Sequence, residues 1–443
     1  MISAKKNSLL TISFWLWCIG FCLVTFDRVA VLPLAGFKFK AAYFFFAMSF
    51  ALVCYVTSRS FGFWKLWQGL LGVFVESPWR YMLLLIVFAF SLDPFSITPV
   101  KSFGYSLWLA FDLLCIVGSA ILLAKLGAFS LKGFMRALAL ITLLISGIIL
   151  VDDMAYYVFG MRDGLIGFNQ DTLLHWGVSR PQAFSYEPSY VGMFLVMTCS
   201  FLFAELCLDV GGKKKLPIIV AGSALALGLF AILATTSRSA WLAVAISISL
   251  SILGSVWKAK KIRNEIYIFC GGIFLVASLL FLVLPKEKIR AVNEKLVQSV
   301  LEMKDGSAHS RILSMEIGAK IGSATNYLGT GMGASYLFWQ RQADPVKYAV
   351  GLPPDEQGAQ VVMSSWLESF AELGAPGILL FFFFAITFSR ALFRNARVSR
   401  EPLAIAAAAS ALCFFFFSAH WMPNLSRSDV WVWYAVWAVM LTG

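Results

Sequence analysis

Residues 216–256 read LPIIVAGSALALGLFAILATTSRSAWLAVAISISLSILGSV. Two apolar runs, 216–235 and 239–256, meet across Thr235-Thr236-Ser237-Arg238-Ser239. Each run is close to the roughly 20 residues a helix needs to cross a hydrocarbon core. In lipid a spanning segment must satisfy its own backbone polar groups, and a single apolar run does so only as a helix. The stretch therefore reads as a transmembrane hairpin with a very tight turn. Arg238 cannot move far from the membrane boundary, and a second helix begins beside it.

The rest of the chain repeats this pattern. Further apolar segments lie at 9–26, 40–58, 80–98, 103–124, 134–151, 183–207, 265–284, 363–388, 402–419 and 429–442. The expectation is an all-α polytopic membrane protein with about twelve transmembrane helices. Residues 1–284 hold the first nine, 285–362 form one long outer loop with short helices, and 363–443 hold the last three. The segment 80–98 is the weakest, because Asp93-Pro94 interrupts it. Leu66–Val75 is too short to span and reads as interfacial or re-entrant.

Composition agrees. Of 443 residues, 60% are hydrophobic and 14% charged, more apolar surface than a soluble protein of this size can hide. The 41 Phe and 15 Trp suit lipid-facing surfaces and interfacial belts. The net charge of +12 is read as loops facing anionic lipid, not as a nucleic-acid surface. The eight cysteines all fall in apolar runs and read as small buried hydrophobes. Lys5 and Lys6 precede a long apolar run with no small-x-small cleavage site, which reads as a retained first helix.

Basic residues orient the bundle. Connections on one side (1–8, 59–80, 125–136, 208–215, 257–264 and 389–401) hold 19 Lys and Arg, against 8 in the short connections opposite. The positive-inside trend then puts both termini in the cytoplasm and the long loop outside. That loop opens with Ile289, Val292, Leu296, Val297, Val300 and Leu301 at helical spacing, an amphipathic run lying on membrane or bundle. A similar run covers Arg311 to Ile321, and Gly329, Gly331 and Gly333 break it. A loop this long is a natural lid or substrate platform. There is no P-loop, no GxGxxG on a strand–helix unit and no HExxH.

Three outer-face arginines are the best candidates for chemistry. Arg180 stands just before Gln182-Ala183-Phe184-Ser185-Tyr186-Glu187-Pro188-Ser189-Tyr190, where Pro188 suits a first helical turn with Glu187 or Ser185 as cap. A helix N-terminus plus a guanidinium makes a phosphate site. The plainer reading is a capped helix with a snorkelling Arg. Arg238 is a lone cation in a tight outer turn, with lipid-headgroup binding as its plain alternative. Arg311, in His309-Ser310-Arg311, gains weight only beside the other two. For proton transfer, Glu187 and His309 are candidates; so is a helix cap paired to Arg180 in the first case, and an ordinary loop residue in the second. His420 starts an outer turn with Arg427 and Asp429, which lines a cavity or anchors the interface; His175 is equally ambiguous. Asp112 is costly in lipid and should face the bundle interior, in a structural hydrogen bond rather than in catalysis.

The pattern Arg180-x-x-Ala-Phe-x-Tyr-Glu-Pro-Ser-x-x-Gly, the Ser237-Arg238-Ser239 turn, and Ser364-Ser365-Trp366-Leu367-Glu368-Ser369-Phe370-Ala371-Glu372-Leu373-Gly374-Ala375-Pro376-Gly377 resemble the O-antigen ligase and O-antigen polymerase (Wzy-type) superfamily. By motif the resemblance covers roughly residues 180–380. It implies a C-type membrane glycosyltransferase fold in the bacterial inner membrane, with a periplasmic active site. The donor is a glycan on undecaprenyl diphosphate, moved to an acceptor sugar hydroxyl without nucleotide sugar, metal or other cofactor. Chain-length regulators and flippases are implied partners. Arg180 and Arg238 match the family's diphosphate-holding arginines, and Arg311 is a looser match.

One departure bears on function. Ser364, Gly374 and Gly377 fit the ligase frame, but Met363 stands where ligases carry His. Met cannot accept a proton, which favours a polymerase of O-antigen, capsule or exopolysaccharide repeats over a ligase to lipid A–core. Tyr186, Tyr336, Trp339 and His420 are the expected acceptor or sugar contacts; Tyr327 and Trp366 can also stack on sugars, with interfacial anchoring the better account of Trp366. A transporter or a non-catalytic assembly scaffold is the reading from another class.

Overall fold

The computed structural model describes residues 2–26, 28–29, 31–34, 37–169, 179–185, 187–207, 215–259, 306–335, 337, 362–399, 401–420, 425 and 427–442. The expected helix 265–284 and the amphipathic run 289–301 lie outside these residues.

Helices dominate. In chain order they are α1 Ile2–Leu23, α2 Ala41–Phe61, α3 Phe63–Glu76, α4 Trp79–Leu92, α5 Pro99–Phe111, α6 Ser119–Lys125, α7 Leu131–Phe159, α8 Pro188–Cys207, α9 Ile218–Ala234, α10 Arg238–Ala259, α11 Gly306–Ala324, α12 Ser365–Val398, α13 Pro402–Phe416 and α14 Ser428–Thr442. Among the described residues seven helices are long and apolar enough to cross a membrane, or eight if the bent pair α3–α4 is one span. The chain is thus a polytopic helical membrane protein. Among the described residues the expected twelve are not reached: the apolar part of α1 and all of α9 are short, α14 spans only 15 residues, and the segment 265–284 lies outside them. Two small antiparallel hairpins depart from a purely helical fold: β1 (Val31–Leu34) with β2 (Phe37–Lys40), and β3 (Phe168–Asn169) with β4 (Pro181–Ala183).

The expected weak points take definite shapes. The stretch 66–75 is helical, and α3 meets α4 at 102°, a broken span or a re-entry. Pro94 ends α4 in a 3-10 turn, Asp93–Phe95. The segment 103–124 is one span carrying a π-helical stretch, Asp112–Gly118. There the Ile116 carbonyl accepts from Trp17 Nε1 at 3.0 Å and from Ser119 Oγ at 3.1 Å. The segment read as 183–207 starts its helix at Pro188, with 181–183 extended instead.

Helices α8 and α14 form the centre. Both are apolar all round and buried along nearly their whole length, as such helices must be when other helices surround them. Trp433, Tyr434 and Trp437 of α14 pack against α1, α8, α12 and α13 aromatics. Helix α8 packs on α9, α10 and α13.

Helix α12 is broken at Gly374, at φ 67° and ψ −161°. The cause is readable two residues on. Pro376 has no N–H, so the Glu372 carbonyl loses its helical donor. The Gly331 amide replaces it at 2.9 Å, Thr330 N reaches the Ala371 carbonyl at 3.0 Å, and Ala375 N turns to the Tyr327 carbonyl at 2.8 Å. The glycine-rich segment 327–333 is therefore the missing strand of hydrogen bonds for a proline-broken helix. Glu372 fixes it from below, accepting from Gly333 N at 2.9 Å and Ser335 Oγ at 2.8 Å. The long loop is thus tied to the bundle, and it contains a 19-residue helix, α11, packed along α12.

Candidate functional site

At one end of the bundle the N-termini of α8, α10 and α14 come together. Gly192 lets the first two approach: a Cβ there would lie 3.0 Å from the Ala240 Cβ and 3.4 Å from Thr235 Oγ1. Arg427, one residue before α14, reaches the first turn of α8, its guanidinium carbon 3.4 Å from the centre of the Tyr190 ring. Each helix N-terminus carries unpaired amides and about half a positive charge, so three together favour an anion.

Arginines border this point. Arg180 leaves β4's start with its backbone amide on Asn169 Oδ1 at 2.8 Å, and its Nε donates to Thr236 Oγ1 at 3.0 Å. That bond ties the Arg180 segment to the α9–α10 turn, where Thr236 takes φ 52°. Arg238 opens α10 in the same turn and is half-buried. Arg311 lies on α11, the helix expected within the long loop, one turn before Ser314, whose Oγ accepts from the Met363 amide at 2.7 Å. Its charge reaches the Tyr190 phenol, as do those of Glu187, Arg427 and Asp429. Among the described residues the Arg311 guanidinium has no hydrogen-bond or ion-pair partner. Arg311 and Arg427 thus lie near Tyr190, while Arg180 and Arg238 lie at the α9–α10 turn, which packs against Gly192 two residues further along α8.

Arg427 is held in two ways. Asp429 pairs with it through Nε at 3.0 Å and Nη2 at 2.9 Å, and the Tyr190 ring stacks under it. Both side chains are mostly buried, at 15% and 9% exposure, so this fork is rigid. Glu187 sits at the α8 cap: its carbonyl accepts from Tyr190 N at 3.1 Å, and its carboxylate accepts from Ser189 Oγ at 2.9 Å. It is partly exposed.

A rim of buried polar contacts supports the site. Asp152 of α7 accepts the amides of Leu165, Ile166 and Gly167 at 2.8, 2.8 and 3.0 Å. This pins the segment before β3, whose Asn169 in turn holds Ser179 and Arg180. Asp112 does make the expected structural bond: Ser428 Oγ, at the start of α14, donates to its Oδ1 at 2.9 Å.

Other expected contacts lie elsewhere. His420 ends a short 3-10 turn, exposed, with its ring 6.1 Å from that of Trp366. Trp366 donates its Nε1 to the Phe415 carbonyl at 3.2 Å and packs on Phe381, the anchoring role. His309 belongs to α11, its side chain outside the described residues, as are Tyr186, Tyr336, Trp339 and His175. The sequence alone does not bring Tyr190 and the Arg427–Asp429 fork together with the other arginines. The signal for Arg427 was the one that marked Arg238, a cation in an outer turn beside a helix start.

Residues 223–382 match the family model for O-antigen ligase. The match begins inside α9 and ends inside α12, so it contains Arg238, Arg311, Met363 and the Gly374 break. It supports glycan transfer of the ligase or polymerase type, with a lipid-linked donor and an acceptor. Arg180, Glu187, Tyr190 and Arg427 fall outside it and join the site by geometry. No curated protein matches the chain.

Proposed function

We propose that the chain polymerises undecaprenyl-diphosphate-linked oligosaccharide repeats at the periplasmic face of the bacterial inner membrane. The observation that carries this is the set of arginines on either side of the α8 N-terminus: Arg180 and Arg238 at the α9–α10 turn that packs on Gly192, and Arg311 and Arg427 at Tyr190. A diphosphate fits there, and cations beside low-dielectric walls stabilise the charge it gains on leaving. In the reaction an acceptor hydroxyl oxygen attacks the anomeric carbon in line. The bond from that carbon to the diphosphate oxygen breaks, the electron pair leaves with the lipid diphosphate, and the configuration inverts. In this reading Glu187, partly exposed at the α8 cap, takes the hydroxyl proton. Orientation of the acceptor supplies much of the remaining acceleration.

Met363 favours polymerase over ligase. Its backbone is seated against α11 by Ser314, in the frame where ligases carry His, and its thioether accepts no proton. The second reading, transfer to lipid A–core, draws on the O-antigen ligase match itself.

The test is product formation by the purified protein in liposomes, given undecaprenyl-diphosphate-linked repeats with and without lipid A–core. A ladder of lengthened lipid-linked glycan without lipid A–core is the expected result. Product only with lipid A–core makes the protein a ligase. Folded protein that yields neither product sinks glycan transfer in favour of a transporter or scaffold.

A further inference from the structure

Helix α3 is bounded by two breaks in the sequence. Gly62, at φ 89°, ends α2 and opens α3, and Ser77-Pro78 separate α3 from α4. Between these breaks α3 has 14 residues, about 21 Å at 1.5 Å rise, too short for a hydrocarbon core of roughly 30 Å. It meets α4 at 102°, so where α4 spans the membrane α3 runs nearly in its plane. Neighbouring contacts give its depth. The turn between α4 and α5 carries Ser96, and Gly331 of the long loop lies against it: a Cβ there would be 2.5 Å from Ser96 Cβ. Gly118 is about 28 Å further along the α5–α6 span from Pro99, at the other end. A Cβ on Gly118 would meet Phe74 Cζ at 3.6 Å and Leu70 Cδ2 at 3.8 Å, both from α3. Helix α3 therefore lies across the end of the bundle away from the long loop.

Wound at 3.6 residues per turn, α3 has three faces in sequence around its axis. Leu70 and Phe74 are buried against the bundle. Beside them Trp64, Leu71 and Val75 form an exposed apolar face. Next comes a face of Lys65, Gln68, Gly72 and Glu76. A helix held only by its own protein needs one apolar face. A second apolar face, set between the bundle and a polar face, suits the level where hydrocarbon gives way to water. Cations bracket the helix: Arg59 in the last turn of α2, Lys65 in the first turn of α3 and Arg80 in the first turn of α4, all exposed. Arg59 and Arg80 rest on the rings of Tyr55 and Tyr81, 5.5 and 4.8 Å from their centres. Glu76 is the one carboxylate on α3, and among the described residues none of these four charges is in an ion pair. The excess is cationic, at the level of lipid headgroups.

We infer that α3 lies in the membrane–water interface at the end away from the long loop, and holds anionic phospholipid there through Arg59, Lys65 and Arg80. The inference is separate from the glycan-transfer reading and stands without it. Connection 59–80 belongs to the basic-rich set, and attraction to anionic headgroups is what such residues supply at a membrane surface.

The test is fluorescence quenching on the full-length protein in lipid nanodiscs of phosphatidylglycerol and phosphatidylcholine. Leu71→Cys and Gly72→Cys each carry a bimane label, and the unaltered protein treated alike gives the background of the native cysteines. Nothing lies within 4 Å of a side chain added at Gly72. Brominated acyl chains quench from the lipid, and iodide quenches from the water. The label at 71 should be quenched by brominated chains and spared by iodide, and the label at 72 the reverse. With equal amounts of the two lipids, brominated phosphatidylglycerol should be enriched at 71 roughly five-fold over brominated phosphatidylcholine, the effect of one net basic residue near the surface. The combined change Arg59→Gln, Lys65→Gln and Arg80→Gln should bring that ratio close to one, while Arg59→Lys with Arg80→Lys keeps most of it. Quenching of both labels by lipid alone would make α3 re-entrant and overturn the inference. So would silence of the label at 71 towards both quenchers, which means that protein covers it. Equal quenching by the two lipids, or a preference that survives the triple change, removes the anionic contact. If the triple variant does not fold, Lys65→Glu alone must still lower the ratio, and an unchanged ratio there counts against the inference.

Discussion

Arg311 and Arg427 are both guanidinia beside Tyr190, but they play different parts. Arg427 is already paired with Asp429 and stacked on the ring, so much of its charge is used within the protein. Arg311 has no such partner among the described residues. Arg311→Gln should therefore weaken donor binding and leave the fold alone. Losing a charge-assisted hydrogen bond costs about 1.5–3 kcal/mol, or about 10- to 150-fold in affinity. Titration with undecaprenyl diphosphate, together with a melting curve, checks both halves; a large drop in Tm with affinity intact would contradict the assignment. Arg427→Lys should do the reverse first. It keeps the charge but loses the planar fork and the stacked face, at about 1–2 kcal/mol of stability, seen as a lower Tm. In the sequence Arg238 is legible because a cation in a short outer turn breaks a compositional trend, Arg180 because a helix starts beside it, and Arg311 only in their company. Tyr190 was not legible, since a tyrosine in the first turn of an apolar helix looks like any interfacial aromatic until Arg427 is found on top of it.

Between residues and bundle, the informative element is the broken helix α12. Gly374 needs its left-handed φ, and a Cβ there would run into the carbonyl of Tyr327. Gly374→Ala combines an unfavourable backbone, about 1–2 kcal/mol, with overpacking of about 1–3 kcal/mol. The Tm of the purified protein should fall sharply, and segment 327–333 should lose amide exchange protection. Gly222→Ala in α9 is the contrasting case, because nothing lies within 4 Å of the added methyl. Alanine there is favoured by about 1 kcal/mol of helix propensity, so its Tm should hold or rise. If both glycines respond alike, the break is not what fixes the loop. Sequence reading found the loop glycines and the proline separately. It could not join them, because the link is a carbonyl at 372 left without a donor, and the amide that replaces it comes from 41 residues upstream. Likewise Pro188 marks the start of α8, whereas α7, apolar over 134–151, runs on through Asp152 and Asp153 to Phe159. Asp152 instead points its carboxylate at three loop amides.

For the whole molecule, hydropathy located the helices but not their order around the centre. Lipid and a helix-lined interior are equally apolar, so α8 and α14 look no different in sequence from helices at the rim. Polar contacts help place α14, among them Ser428 on Asp112, which joins the first helix residue of the last segment to a helix 316 positions earlier. Asp112 is fully buried, and its Oδ2 has no described hydrogen-bond partner. Two accounts of this carboxylate make opposite predictions. If its role is to hold Ser428, and so to aim Arg427 and Asp429 at Tyr190, the hydrogen bond matters and the charge does not. Asp112→Asn retains an acceptor for Ser428 Oγ and should keep both Tm and glycan transfer near the unaltered values. Asp112→Ala leaves the Ser428 hydroxyl buried and unpaired, at about 1–3 kcal/mol. It should lower Tm and also weaken undecaprenyl diphosphate binding, through a site that Asp112 does not touch. Ser428→Ala should reproduce the Asp112→Ala loss, and the double variant should be no worse than either alone, because both remove one interaction. If Asp112→Asn is folded but inactive, the charge itself is used in the reaction, and the positioning account is wrong.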